Sequence, residues 1–127
     1  MATEADVRRL ALSLPDTTEA EDRFAFSVRH GNKERAFAFG WMERRGPRQP
    51  RVPSPDVLVV RVADEAEKRA LVASDPDRYF TEHDDNGIAA VLVRLPAVGV
   101  DELAELLTDA WRTQAPKALV RAFEAGR

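Results

Sequence analysis

A chain of 127 residues, 44% hydrophobic and 32% charged, is long enough to bury a core of its own, so we expect one domain spanning residues 1–127. The lack of cysteine excludes disulfides, a thiolate nucleophile and a zinc–thiolate site. No run approaches the roughly 18 apolar residues of a membrane span, and the first residues lack a signal-peptide apolar region, so we expect a cytoplasmic protein without a membrane partner.

Charge is distributed unevenly along the chain. The formal net charge is −3 at pH 7, and the sequence pI is near 5.4. Residues 23–51 nevertheless hold eight Lys or Arg residues and only two acidic ones, while the remainder holds eleven basic and twenty acidic residues. The sequence therefore indicates an acidic body that carries one basic segment, residues 23–51.

The chain begins with a predicted helix. Thr3 can cap its first turn, with Asp6 placing negative charge at the helix N-terminus. Apolar residues then follow at helical spacing, namely Val7, Leu10, Ala11 and Leu14. Pro15 ends this helix near Ser13, because a residue before proline avoids the α region. The acidic residues 16–22 are predicted to form a loop.

Residues 23–41 predict a β-hairpin of alternating aromatic and small residues. A two-residue turn of Gly31 and Asn32 supplies the positive φ angles that a tight hairpin needs. The predicted register places Phe26 opposite Phe37 and Phe24 opposite Phe39. In that register both apolar sets, with Trp41 at the end, lie on one face of the sheet.

The middle of the chain predicts a loop, a strand and a helix. Four of the eight prolines fall within residues 43–56, which predicts a loop because proline cannot donate to a central strand. Residues 57–62 predict a buried strand. Asp64 caps a second helix that is closed by Asp75 and Pro76, with Ala66, Ala70 and Leu71 expected to face the core.

The last third predicts a strand and two helices. Residues 88–95 read as a strand with Val91, Val93 and Leu95 on one face. A core-facing helical stripe follows, consisting of Leu103, Leu106, Leu107, Ala110 and Trp111. Pro116 opens a final helix. The element order α-β-β-β-α-β-α-α predicts an α+β fold, a two-layer sandwich in which a largely antiparallel twisted sheet carries helices on one face.

Several stretches of this sequence resemble one known family. They are YFTEHDDNG at residues 79–87, VLVRL at 91–95, DEL at 101–103, AWR at 110–112 and AP at 115–116. In these motifs and over nearly its full length the chain resembles the MmcQ/YjbR family. That resemblance implies a secretion-chaperone or frataxin-like α/β fold and a DNA-binding function.

The basic segment is the candidate nucleic-acid site. Lysine and arginine side chains spaced along a surface neutralise phosphates and release counterions. Most aromatic residues of the hairpin are expected in the core, and Trp41, beside the arginines, is the exception. We therefore predict weak, salt-dependent DNA binding by Lys33, Arg35, Trp41, Arg44, Arg45, Arg48 and Arg51. The competing interpretation is a solvated loop whose charges only keep the protein soluble.

Other functions have less support in the sequence. The cluster Glu82, His83, Asp84 and Asp85 has metal-ligand chemistry, but its spacing is that of a plain turn, so we expect no metal and no cofactor. His30 is expected to be exposed at the hairpin tip. No nucleophile motif or phosphate-binding glycine loop occurs, and we expect no enzyme. A protein-interaction module that uses the open sheet face is the alternative function, and a small-molecule site would require a deep pocket.

Overall fold

The computed structural model describes residues 1–44, 46–81 and 89–126; of residue 44 it describes only the backbone. Within these ranges the chain forms four α-helices, six strands and a short 3₁₀ turn. In chain order they are α1 (Glu4–Leu12), β1 (Thr17–Glu19), β2 (Ala25–His30), β3 (Lys33–Arg44), β4 (Arg51–Arg61), α2 (Glu65–Ser74), β5 (Tyr79–Phe80), β6 (Ala90–Arg94), the 3₁₀ turn (Leu95–Ala97), α3 (Val100–Gln114) and α4 (Lys117–Ala125).

The strands form a single antiparallel sheet in the order β1-β2-β3-β4-β6-β5. The predicted α+β class is confirmed, and the order of elements differs by two short edge strands. β1 lies within the predicted loop 16–22, and β5 covers only two residues. Segments this short show no alternation of their own, so their pairing depends on the longer strands beside them.

Local sequence signals account for where the helices begin. Thr3 and Asp6 form a reciprocal capping box at the start of α1, as predicted. The Asp64 carboxylate accepts a hydrogen bond from the Glu67 amide at 2.9 Å and caps α2. Ala66 and Ala70 are exposed, contrary to expectation, because α2 turns other side chains inward. Leu71 and Val72 of that helix pack against the core.

One large core lies between the sheet and the helices. α3 contributes the predicted stripe, and its Trp111 is fully buried at 4.9 Å from the ring of Phe123 in α4. The Trp111 indole N–H donates to the Pro15 carbonyl at 2.9 Å, which ties α3 to the end of α1. Among the described residues, apolar side chains of all four helices pack into this core, so the helices cover one face of the sheet.

The predicted hairpin register is correct only near its turn. Ser27 pairs with Ala36 as predicted, but Phe26 pairs with Ala38, because a β-bulge at Phe37 adds one residue to β3. The predicted pairings of Phe26 with Phe37 and of Phe24 with Phe39 are therefore wrong. Phe39 instead pairs with Ala25. A one-residue shift reverses which face later side chains occupy.

The bulge sends Phe39, which was predicted in the core, and Trp41, which was predicted as the exception, to the open face of the sheet. Phe26 and Phe37 are buried in the main core, and Phe24 packs beside them. Phe39 and Trp41 belong to a second, smaller cluster, which the described residues build from strands alone. Its members are Val59, Ala90 and Leu92, with Phe39, Trp41, Val57 and Phe80 packed around them.

Candidate nucleic-acid interface

The second halves of β3 and β4 form a two-stranded arm, residues 41–54. β2 pairs with β3 only as far as Phe39, and β6 pairs with β4 only from Val57 onward. Trp41 to Arg44 therefore pair only with Arg51 to Ser54. We call this ribbon the arm, and the rest of the described chain the body. The arm extends the sheet beyond the strands on either side.

This arm corrects the prediction of a loop over residues 43–56. The strands continue to Arg44 and resume at Arg51, so residues 45–50 alone connect them. Pro53 is tolerated because β4 has no partner on its other side at that point, and proline is confined to such edges. Pro55 falls in a second bulge, where residues 55–57 face no residue of β3. Such a bulge bends the strand where the arm leaves the sheet.

The structure separates the predicted site residues into two groups. The larger group belongs to the arm, where Arg44 ends β3, Arg51 begins β4 and pairs with it, and Arg48 is exposed in the connection. Arg45 was predicted in the same group and lies outside the described residues. Trp41 stands at the root of the arm. Arg44, Arg48 and Arg51 are thus within eight residues of one another around a single turn.

Lys33 and Arg35 form the other group, at the opposite end of β3. Eleven residue steps separate Lys33 from Arg44, which corresponds to roughly 35 Å along a strand. Both side chains are exposed beside the two-residue turn, where Gly31 has the expected positive φ of 65°. They pair with His30 and Val28, so they lie on the helix-covered side of the sheet. The arrangement therefore does not bring Lys33 and Arg35 together with the arm.

His30 is half-buried rather than exposed as predicted. Its Nδ1 lies 3.1 Å from the carbonyl of Gln114, at the end of α3. This contact joins the predicted hairpin tip to the helix layer. The tip beside Lys33 is consequently part of the body, whereas the turn of the arm projects from it.

The described cations of the basic segment are not neutralised by neighbouring acids. Some body cations are paired with acids: Arg8 contacts Glu19 at 2.8 Å, and Arg112 contacts Asp109 at 2.7 Å. Within the described part of residues 23–51, no side chain forms an ion pair with a carboxylate. Arg51 donates to the Met42 carbonyl at 3.1 Å, which holds it against the arm without cancelling its charge.

The body contains an ionic network that fastens β5 to α3. The Glu102 carboxylate accepts hydrogen bonds from the Tyr79 hydroxyl and, at 2.5 Å, from Arg78. Burial alone would raise the pKa of Glu102, but the hydrogen bonds from Tyr79 and Arg78 together lower that pKa. Burial and the adjacent carboxylate raise the pKa of Tyr79, so its hydroxyl stays protonated and donates. Each of these groups has a hydrogen-bond partner within the network. We therefore interpret the network as structural and assign it no catalytic role.

A groove of about 820 Å³ lies at the root of the arm. Phe24, Phe39, Trp41 and Met42 line it together with Arg23 and Arg51. The sequence did not reveal this groove, because it depends on the bulge that turns Phe39 and Trp41 to the open face. The available signal was the row of aromatics at spacing two, Phe37, Phe39 and Trp41, which precedes the proline-containing residues 43–56.

Metal and membrane functions receive no support from the described residues. The predicted turn Glu82, His83, Asp84 and Asp85 lies outside them, and the described chain contains no group of three or more potential metal ligands. In residues 1–44, 46–81 and 89–126, no helix has both the length and the apolar character needed to cross a bilayer.

Comparison with known proteins identifies the family. The YjbR family model matches residues 12–113. The uncharacterized proteins Rv2570 of Mycobacterium tuberculosis and Mb2600 of Mycobacterium bovis are each 43% identical to this chain over 129 aligned residues, covering 98% of both chains. The crystal structure of the Deinococcus radiodurans protein DR2400, with its DUF419 domain, is 22% identical, covers 98% of this chain and 89% of its own, and superposes with a TM-score of 0.66, which shows a shared fold. This chain therefore belongs to the YjbR family.

Proposed function

We propose that this protein binds duplex DNA weakly and without catalysis, through the arm. The observation that carries the proposal is the projecting two-stranded ribbon, whose sequence holds four arginines within residues 44–51. β-ribbons enter the grooves of DNA in several protein classes, and arginine side chains bind phosphates and narrow minor grooves. The prolines beside the turn stiffen the connection and reduce the ordering cost of binding.

Charge distribution supports the same site. An acidic protein is repelled by DNA over most of its surface, so attraction must come from a region that carries its own uncompensated positive charge. The described arginines of the arm, Arg48 and Arg51, form no ion pair, whereas body arginines such as Arg8 and Arg78 are held by carboxylates. Because four phosphates at most are neutralised, the predicted affinity is low and depends strongly on salt.

Fluorescence anisotropy with a labelled 20-base-pair duplex tests the proposal. Four phosphate contacts predict binding about a hundredfold weaker in 200 mM than in 50 mM salt. The arm variant, Arg44→Gln/Arg45→Gln/Arg48→Gln, should lose most of the binding seen at 50 mM salt. The control variant, Arg29→Gln/Lys33→Gln/Arg35→Gln, removes the same charge from the same basic segment and should retain most of it. Equal losses in both variants would reject the arm as the site.

The alternative function, a protein-interaction module on the open sheet face, has less support. Val59, Ala90 and Leu92 at the centre of that face are each under 9% exposed, because neighbouring side chains already cover them. Arg94, for example, places its guanidinium 4.1 Å from the centre of the Phe80 ring. The large hydrophobic residues that are exposed in the described chain, Met1, Leu12 and Met42, do not form one patch around this cluster.

A further inference from the structure

We propose that the groove at the root of the arm is a binding site for a small aromatic monocarboxylate. This inference does not require DNA binding and can be tested separately, although Trp41 and Arg51 belong both to the groove and to the arm. Its volume of about 820 Å³ falls in the range of small-molecule sites, roughly 300–1,000 Å³. The occupant follows from the chemistry of the lining.

The apolar part of the lining indicates that the ligand contains a flat, apolar group. Phe24, Phe39 and Trp41 contribute three aromatic rings, and Met42, which is 44% exposed, adds a flexible thioether. Two of these rings are already fixed by neighbours at right angles: Phe24 lies 5.0 Å from Phe26, and Trp41 lies 5.8 Å from Phe80. A ring held in this way offers a stacking surface without a large loss of side-chain entropy.

The polar part of the lining selects one negative charge. Arg23 and Arg51 line the groove, and neither forms an ion pair within the described chain. Arg8 also lines it, but its guanidinium is bound by both carboxylate oxygens of Glu19, at 2.8 and 3.0 Å. Glu4 and Asp22 stand on the same lining and disfavour a multiply charged anion. A single carboxylate therefore matches these two guanidinium groups, which have no carboxylate partner in the described chain, better than a phosphate does.

Two further polar groups in the groove lack partners. Ser54 is only 9% exposed, and its hydroxyl makes no hydrogen bond with any described residue. The Trp41 indole N–H likewise has no acceptor among the described residues. Neither atom is one of the buried unpaired polar atoms of the described chain, so both are accessible to solvent and can donate to a ligand that enters the groove. A carboxylate oxygen can accept from either group while its ring lies against Phe39.

Nuclear magnetic resonance offers a direct test, because the chain has only two tryptophans. In a ¹H–¹⁵N spectrum the Trp41 indole signal should shift saturably as 3-phenylpropionate is added. The signal of Trp111, which is fully buried in the body, should not move and reports that the fold is intact. The neutral 3-phenylpropanamide and the ringless acetate should each bind at least tenfold more weakly, since each lacks one half of the recognition.

Variants test the arginine contacts and the apolar contacts of the site separately. Arg23→Gln and Arg51→Gln should each weaken 3-phenylpropionate binding by roughly tenfold or more and leave the amide unchanged. Ala36→Leu, which fills the groove from β3, should remove binding of both compounds. The arm variant used for DNA touches none of these residues and should bind 3-phenylpropionate normally. A Trp41 signal that does not move, or that moves equally with acid and amide, would overturn the inference.

Discussion

The strand β3 passes through two regions that differ in how their charges are held. In the body β3 pairs with β2 from Lys33 to Phe39 and joins β4 from Ala38 onward, beneath four helices. Four arginines of the body, Arg8, Arg9, Arg78 and Arg112, are engaged by carboxylates. In the arm the same strand pairs on one side only, and the described arginines lack ionic partners. Stability is therefore concentrated in the body, while the arm presents Arg48 and Arg51 without carboxylate partners among the described residues. Each of the following experiments tests one side of this contrast.

Substitution of the two tryptophans should give the largest difference in the free energy of unfolding. Trp111 is fully buried and hydrogen-bonded, so Trp111→Ala should lower the free energy of unfolding by about 3–5 kcal/mol. Trp41 is half-buried at the root of the arm, and Trp41→Ala should cost only about 1–2 kcal/mol. Urea denaturation monitored by circular dichroism measures both. Similar losses would show that the arm is as important to stability as the body.

Substitution of Glu102 should have the next largest effect on the free energy of unfolding. Glu102→Gln removes an acceptor of hydrogen bonds from Tyr79 and Arg78, and we expect a loss of about 1–3 kcal/mol. Glu105→Gln, on an exposed position of the same helix, is the matched control and should change stability by less than about 0.5 kcal/mol. The same denaturation measurement compares them, and equal effects would contradict the account of this network.

The pH dependence of stability should reflect the protonation of carboxylates that are ion-paired in the folded protein. The pKa of Glu102 and that of Glu19, which accepts from Arg8, are lowered in the folded protein. A lowered pKa gives stability that is present above the unfolded value, about 4.3, and is lost as the pH falls through the folded value. Melting temperatures should therefore decrease below about pH 4.3, and less steeply in Glu102→Gln. An identical acid profile in that variant would assign the loss to other groups.

The arm arginines should affect stability least. The variant Arg44→Gln/Arg45→Gln/Arg48→Gln should change the free energy of unfolding by less than about 1 kcal/mol, because surface substitutions remote from the core have small effects. A calorimetric melting temperature within a few degrees of the unchanged protein is the expected result. A larger decrease would mean that the arm is bound to the body by contacts of these arginines.

Sequence patterns predicted most of the body. The capping residues Thr3 and Asp64, the stripe of α3 and the strand around Val91 all lie where periodicity and local chemistry placed them. These features are local, or they repeat at the period of a single element. The helix caps, the apolar side of α3 and the strand β6 were therefore predictable from the residues alone.

The arm and its groove were not predictable in the same way. The alternating aromatics of β3 give the same pattern with or without a bulge at Phe37, so the face taken by Phe39 and Trp41 depends on tertiary packing. Pro53 and Pro55 indicated a loop because the sequence does not show that this part of β4 lacks a second neighbour. The arginines were correctly noticed as a segment, but only the paired strands reveal that Lys33 and Arg48 lie at opposite ends.

The salt dependence of DNA binding tests the central claim most directly. If the four arginines of the arm contact phosphates, the logarithm of the association constant should fall with the logarithm of salt concentration with a slope of about −3.6. The arm variant should reduce that slope to about −1, and the control variant should leave it near −3.6. A slope near zero in the unchanged protein, or one that decreases equally in both variants, would contradict a DNA-binding arm.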